Sequence, residues 1–179
     1  SRIAESVDIT AVPDLREEIL LTQAVFAESA GDIDGTVALL DEREAFWPDA
    51  IRLRGQRDGA GWRLSGEKRF VADPTAAVLF VVAFRTGDAA EALALGVIEE
   101  GAPGLSAQSF PTLDATRRLG NLELSDVRIA DDAVLGAPGE AWPAIERLLD
   151  RGATAIAAEM LGAAQAALAL ASPSSRGCS

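Results

Sequence analysis

The chain has 179 residues, of which 49% are hydrophobic, and its 28 acids against 16 bases give a net charge of −12. That length suits one domain, or one domain with appended helices, and the apolar share is ample for a core. The acidity argues against a nucleic-acid partner, because phosphate-backbone binding needs clustered Lys and Arg, although one or two local cations would serve a phosphate-bearing small molecule.

The absences narrow the chemistry further. There is no histidine and a single cysteine, Cys178. Ser-His-Asp and Cys-His triads are therefore out, as are the commonest zinc ligand and thiolate clusters, and no metal site is assigned. Neither GxGxxG nor GxxxxGK[ST] occurs. An enzyme built from these residues needs a cofactor for the hard chemistry. A lone cysteine cannot close an intrachain disulfide, so a reducing compartment is the default. No apolar run approaches the roughly 20 residues of a membrane span, and no secretory signal opens the chain. A cytoplasmic protein with no membrane partner is expected.

Taken in order, residues 1–32 read as the end of a helical region. Within it "DLREEILLTQAVFAES" spaces apolar residues helically, with Asp14 able to cap and Gly31 able to stop the helix. Residues 33–138 switch to period two. "TVALLD" is a buried strand, and "IRLRGQR" points Ile51 and Leu53 inward with Arg52 and Arg54 outward. "RDGAGW" is a hairpin turn, "WRLSG" alternates again, and "AAVLFVVAF" is apolar on both faces, as a central strand is. "ALALGVIEE" is another strand, and "EEGAPGLS" a turn. "NLELSDVRIA" flips its inward parity near Ser125 and Asp126, the mark of a bulge or a strand break. About seven short strands predict an antiparallel β-barrel or orthogonal β-sandwich flanked by helices, an α+β chain. Ile51, Leu53, Leu64, Phe80, Val82 and Leu122 are expected in its core. Residues 139–171 return to an Ala- and Leu-rich helix opened by Pro143. Residues 172–179, "SPSSRGCS", form a tail expected to be disordered. With no initiating Met, the chain reads as a piece of something longer.

Four stretches, in this order, resemble the acyl-CoA dehydrogenase family. "GWRLSGEKRFVAD" is similar to its G-x-x-L-x-G-x-K-x-[WF]-[IV]-[TS] hairpin. "VIEEGAPGLS" is similar to its V-x-x-x-x-x-G-[LV]-[ST] strand and turn. "LELSDVRIADDAVLG" is similar to the close of its β-domain, and "RLLDRGATAIAAEMLGAAQAAL" to the first long helix of its C-terminal domain. "TLDATRRLG" further resembles a variant of divergent members. The resemblance covers about residues 30–171. It implies FAD as cofactor, an acyl-CoA substrate desaturated between its α and β carbons, an electron-transfer flavoprotein as electron acceptor, and a homo- or hetero-oligomeric full-length form.

The resemblance also places candidate residues. Phe70, Val71 and Ala72 fall where the family sets an aromatic residue, a β-branched residue and a Thr or Ser beside the flavin. Phe70 is either a wall for the flat ring or part of the core. Ala72 offers only its backbone N–H. Leu39, Leu40 and Asp41, followed by Glu42, match the family's x-T-E-P loop, whose backbone meets the flavin pyrimidine. Leu40 replaces its Thr and Glu42 its Pro, and the phosphate-binding turn beyond is replaced by "REAFWPD". Asp41, Glu42 and Glu44 read as a solvated loop in preference to catalytic groups, Lys68 as half of a surface ion pair, and Arg117 and Arg118 as a phosphate contact or a rim. Trp47 and Trp142 are expected to pack at helical junctions. No catalytic residue is assigned: the family's glutamate lies beyond this chain in most members, and in a minority at the position of Gly152. Glu146 and Glu159 match neither. A half-site of this kind is not expected to retain FAD, and the chain alone is expected to be inactive. A non-catalytic scaffolding subunit and a flavin-free interaction module stand as alternatives.

Overall fold

The computed structural model describes residues 35–41, 46–113 and 118–171. The helix expected near residues 14–29 lies outside them, as do Glu42, Glu44 and Arg117. Eight strands are described: β1 (Gly35–Ala38), β2 (Gly55–Arg57), β3 (Gly61–Ala72), β4 (Leu79–Arg85), β5 (Leu93–Glu99), β6 (Leu105–Phe110), β7 (Leu119–Ala130) and β8 (Val134–Leu135). A single-turn 3-10 helix at Pro48–Ala50 precedes β2, and a second at Asp131–Ala133 links β7 to β8. The strands form two four-stranded sheets, in the orders β1-β4-β5-β8 and β2-β3-β7-β6. The barrel alternative is corrected to an open pair of sheets. Every ladder is antiparallel except one, because β1 runs parallel to β4. The strand read in "TVALLD" stops at Ala38, where the chain leaves the sheet for the candidate loop.

The inner faces of the two sheets build one core. Phe80, Val82, Phe84, Ala94 and Ile98 meet Trp62, Leu64, Leu122, Val127 and Ile129. All six residues expected in the core are buried. Alternation does this work: one face of each strand is apolar, so burying it fixes the register. Phe84 leans on Trp62 with ring centroids 5.4 Å apart and planes at 59°. A Cβ at Gly55 or Gly96 would come within 3.2 Å of the Phe84 ring, so both glycines make room for it. The guanidinium of Arg57 caps the Trp62 ring at 4.7 Å.

The parity flip in β7 is a bulge. Register shifts between the pairs Leu64–Val127 and Gly66–Leu124, and Asp126 takes φ 55°. The extra residue lets Leu122 and Leu124 share the inner face with Val127 and Ile129 despite their odd spacing.

Arg85, at the end of the most apolar strand, is buried, and no ion pair to it is seen among the described residues. Its Nε and Nη groups donate to the carbonyls of Ile51 (2.8 Å), Pro48 (2.6 Å), Ala89 (2.7 Å) and Ala90 (3.1 Å). Arg54 and Arg85 also form a parallel bridge, so β2 is tethered to the other sheet where its chain enters. Trp47 is 69% exposed, which corrects its expected packing role.

The chain divides into two compact units between Ile145 and Glu146. The helix α1 (Trp142–Ala171) begins in the first and makes up the described part of the second. In the second unit Ile156, Met160, Leu161, Leu168 and Leu170 are exposed. Over its most apolar 18-residue window α1 has a mean hydropathy of 1.4, long and apolar enough to cross a membrane. By length and composition this corrects the expectation that no apolar run approaches a membrane span, since Glu159 and Gln165 are too few to break the apolar character of the helix.

Two glycines separate packing from propensity. A Cβ on Gly120 would lie 2.1 Å from the Gln108 carbonyl oxygen and 2.7 Å from Pro74, whereas one on Gly152 in α1 meets nothing within 4 Å. Gly120→Ala should cost about 2 kcal/mol or more by overpacking. Gly152→Ala should add up to about 1 kcal/mol of helix stability. Urea titrations followed by tryptophan fluorescence for the first, and helical circular dichroism on heating for the second, check the pair.

Candidate functional site

The two segments singled out in the sequence belong to different sheets. Leu39–Asp41 leave β1 in one, and Phe70–Ala72 close β3 in the other. The structure brings them side by side. The Arg69 N–H donates to the Leu40 carbonyl at 2.8 Å, and the Lys68 ammonium donates to the Leu39 carbonyl at 3.1 Å.

A second bulge sets the direction of Phe70. Between Lys68 and Val71, β3 spends two residues where β7 spends one, Asn121. Uninterrupted alternation after Lys68 would send Phe70 inward. The bulge sends Val71 inward, at 1% exposure, and leaves Phe70 outside at 39%. Phe70 takes φ 52°, a left-handed conformation rare for a bulky side chain. Such a residue costs of order 1–3 kcal/mol and persists only where its surroundings hold it. Its ring meets the Phe110 ring edge-on, with centroids 5.8 Å apart and planes at 87°. Of the clustered aromatics, Trp62, Phe80 and Phe84 are core, and Phe70 alone is exposed. Val71 faces the core, and Ala72 is half-buried.

Lys68 corrects the expectation of a surface ion pair. It points inward opposite Leu122, is fully buried, and pairs with Asp41 Oδ1 at 2.7 Å. Asp41 is buried as well, which overturns the solvated-loop reading for that residue. Its other oxygen, Oδ2, accepts from the backbone N–H of Arg52 and from that of Leu53 at 2.9 Å. Oδ1 has no directional hydrogen bond, so its pairing with Lys68 is ionic. Burial pulls the Lys68 ammonium down to about 8, against the opposing pull of the Asp41 charge. Sequence reasoning missed this pair because "GEKRF" puts the lysine among charged neighbours. The signal available was its parity with Trp62 and Leu64.

Arg118 does not stand free for a phosphate. Its Nε donates to Asp73, and the Asp73 N–H returns a bond to the Arg118 carbonyl at 2.9 Å. Asp73 takes φ 41° immediately after β3. Glu146 and Glu159 lie on exposed turns of α1. Among the described residues no group of three His, Cys, Asp or Glu side chains could hold a metal. The candidate site therefore offers an aromatic face, an ordered stretch of backbone, and one buried cation beneath it.

No family model matches the chain. A short-chain specific acyl-CoA dehydrogenase of Bos taurus mitochondria is 30% identical over 145 residues, 78% of this chain and 35% of that protein. The butyryl-CoA dehydrogenase of Megasphaera elsdenii superposes with a TM-score of 0.70 at 24% identity, covering 75% of this chain and 37% of its own. The chain is related to the acyl-CoA dehydrogenases. A glutaryl-CoA dehydrogenase from Mycobacterium smegmatis, solved in complex with FADH2, matches with a TM-score of 0.58 at 25% identity over 69% of this chain and 32% of its own. The chain thus spans about a third of the length of these relatives. The β-domain and the start of a helical domain are the parts of an acyl-CoA dehydrogenase that it carries.

The Lys68–Asp41 pair makes two measurable claims. Lys68→Met leaves a buried carboxylate without its cation and should cost about 3–5 kcal/mol. Lys68→Met combined with Asp41→Asn should recover more than half of that, since the Asn side-chain oxygen still accepts from Arg52 and Leu53. The lowered folded-state pKa also fixes a sign. Between about 8 and the ordinary lysine value of 10.5 the unfolded chain binds more protons than the folded one, so stability should rise with pH across that window. Urea unfolding at successive pH values should show this rise in the wild type and a flatter profile in Lys68→Met.

Proposed function

We propose that this chain is the flavin-contacting β-segment of an FAD-dependent acyl-CoA dehydrogenase that desaturates an acyl-CoA thioester. The observation that carries the reading is Phe70. A bulge and a left-handed backbone turn its ring out of the core beside the very loop that the family resemblance assigns to the flavin. Energy held in such a conformation is characteristic of ligand sites. FAD fits the residues in a limited way. Phe70 would wall the isoalloxazine ring, and the backbone of Leu39, Leu40 and Asp41 and the Ala72 N–H would face its polar edge. Leu40 and Ala72 supply no side-chain donor.

A flavin held there would supply the hydride acceptor for desaturation of the substrate, with the proton-abstracting base not among this chain's assigned residues. This chain's residues orient and enclose. Phe70 excludes water from one ring face, and Lys68 and Asp41 keep the loop in register. Asp41, with two N–H donors and the Lys68 ammonium already on its carboxylate, is a structural anion rather than a base. The full-length protein would be an oligomer that passes electrons to an electron-transfer flavoprotein in the cytoplasm. In it the apolar surface of α1 would pack on further helices rather than enter a bilayer. The observation favouring a second reading, a non-catalytic subunit beside an active homologue, is Gly152 at the position of the minority-type base.

Flavin titration tests the proposal. The purified chain should be colourless, because a site that buries only part of a ligand loses area and polar anchors. Added FAD should bind at about 10 µM or weaker, and Phe70→Ala should abolish that binding without unfolding the chain. No binding at millimolar FAD would leave the flavin-free module in its place. Dye reduction with a panel of acyl-CoAs should stay at background, and turnover would overturn the assignment of the base to a position outside this chain.

A further inference from the structure

We propose that Lys68 is a positioning residue, a buried latch that holds the Leu39–Asp41 loop and the β3 bulge as one unit so that a flat ligand meets a preset backbone. The identity of that ligand rests on the flavin reading; the latch does not. The side chain of Lys68 reaches from one sheet to the segment leaving the other. It makes two contacts there, to the Leu39 carbonyl at 3.1 Å and to Asp41 Oδ1 at 2.7 Å. The next residue adds the Arg69 N–H bond to the Leu40 carbonyl at 2.8 Å. Three consecutive loop residues are thus held from two consecutive strand residues, immediately before Phe70. Asp41 extends the hold to the chain entering β2 through the N–H groups of Arg52 and Leu53.

A lysine at this depth is a costly way to fill space. Burying a charge is unfavourable unless its partners are in place. An apolar residue would pack opposite Leu122 as well, but it would leave the Leu39 carbonyl without this donor and Asp41 Oδ1 without its cation. The charge links the two segments conditionally, because between the sheets the ammonium finds its carboxylate and carbonyl partners only while the loop is docked. Opening the loop lets water reach the ammonium, which favours its protonated form, so the docked state tightens as the proton leaves. Asp41 is the charged group that acts on Lys68. Its chain neighbours Glu67 and Arg69 face each other at 3.9 Å on the outer side, where Glu67 also accepts from Asn121 at 2.7 Å.

Amide hydrogen exchange on the full chain decides it. In Lys68→Met, and in the better-tolerated Lys68→Met/Asp41→Asn pair, the amides of Arg69, Arg52 and Leu53 should exchange at least about tenfold faster, while Val82 and Leu95 in the core change less than about threefold. In the wild type, after correction for intrinsic exchange, protection at Arg69 should grow between about pH 8 and 10.5, and in the variants it should stay flat. Exchange that rises equally at all five amides would make Lys68 mere core filling and overturn the latch, as would a flat wild-type profile. If the variants fail to fold, the wild-type pH profile alone decides. FAD added to the wild type should slow the Arg69 amide further. If it does not, the flavin reading falls while the flavin-free exchange still rules on the latch.

Discussion

A positive charge buried between two sheets organises this half of the molecule. Lys68 has no water to solvate it, so a carboxylate and a carbonyl must be brought to it, and both come from the three residues that leave β1. That requirement fixes where the loop runs. It also explains why β3 must change parity directly afterwards. Once Lys68 has taken an inward position, Phe70 would be next in line for the interior. The bulge diverts the aromatic ring outward and gives Val71 its place in the core. One electrostatic constraint thus shapes the loop, the bulge and the exposed ring.

Much of the scaffold was legible because strand burial has a period of two and apolar residues obey it. Ile51, Leu53, Leu64, Phe80, Val82 and Leu122 follow from alternation alone, and the flip at Ser125–Asp126 announced its bulge. The parallel pairing of β1 with β4 was not legible, since apolar pattern carries no strand direction. Arg85 was hidden at the end of an apolar run, where a charged residue reads as the strand's exit into solvent; the structure surrounds it with four backbone carbonyls instead.

The two segments singled out in the sequence lie side by side, but their electrostatics were misjudged. Asp41 and Lys68 each sit in a stretch dense with charges, and local composition pointed both toward water. Burial there depends on a contact between residues distant in sequence, which no local window contains. The second bulge was equally opaque, because "KRFVA" reads as smooth alternation until Phe70 is found with a positive φ.

The parallel pairing of β1 with β4 bears on the order of assembly. β4 can fold against β5 through a short connection, and β2 against β3 through a tight turn, so both sheets can begin from local contacts. β1 must close a much longer loop to reach β4, with Gly35 beside Leu79. Loop-closure entropy sets long-range pairings late. The segment that carries Leu39, Leu40 and Asp41 then arrives on a nearly finished scaffold, and Lys68 waits there still hydrated. By this reasoning the corner around Leu39–Asp41 is the last part of the β-domain to form and the first to let go.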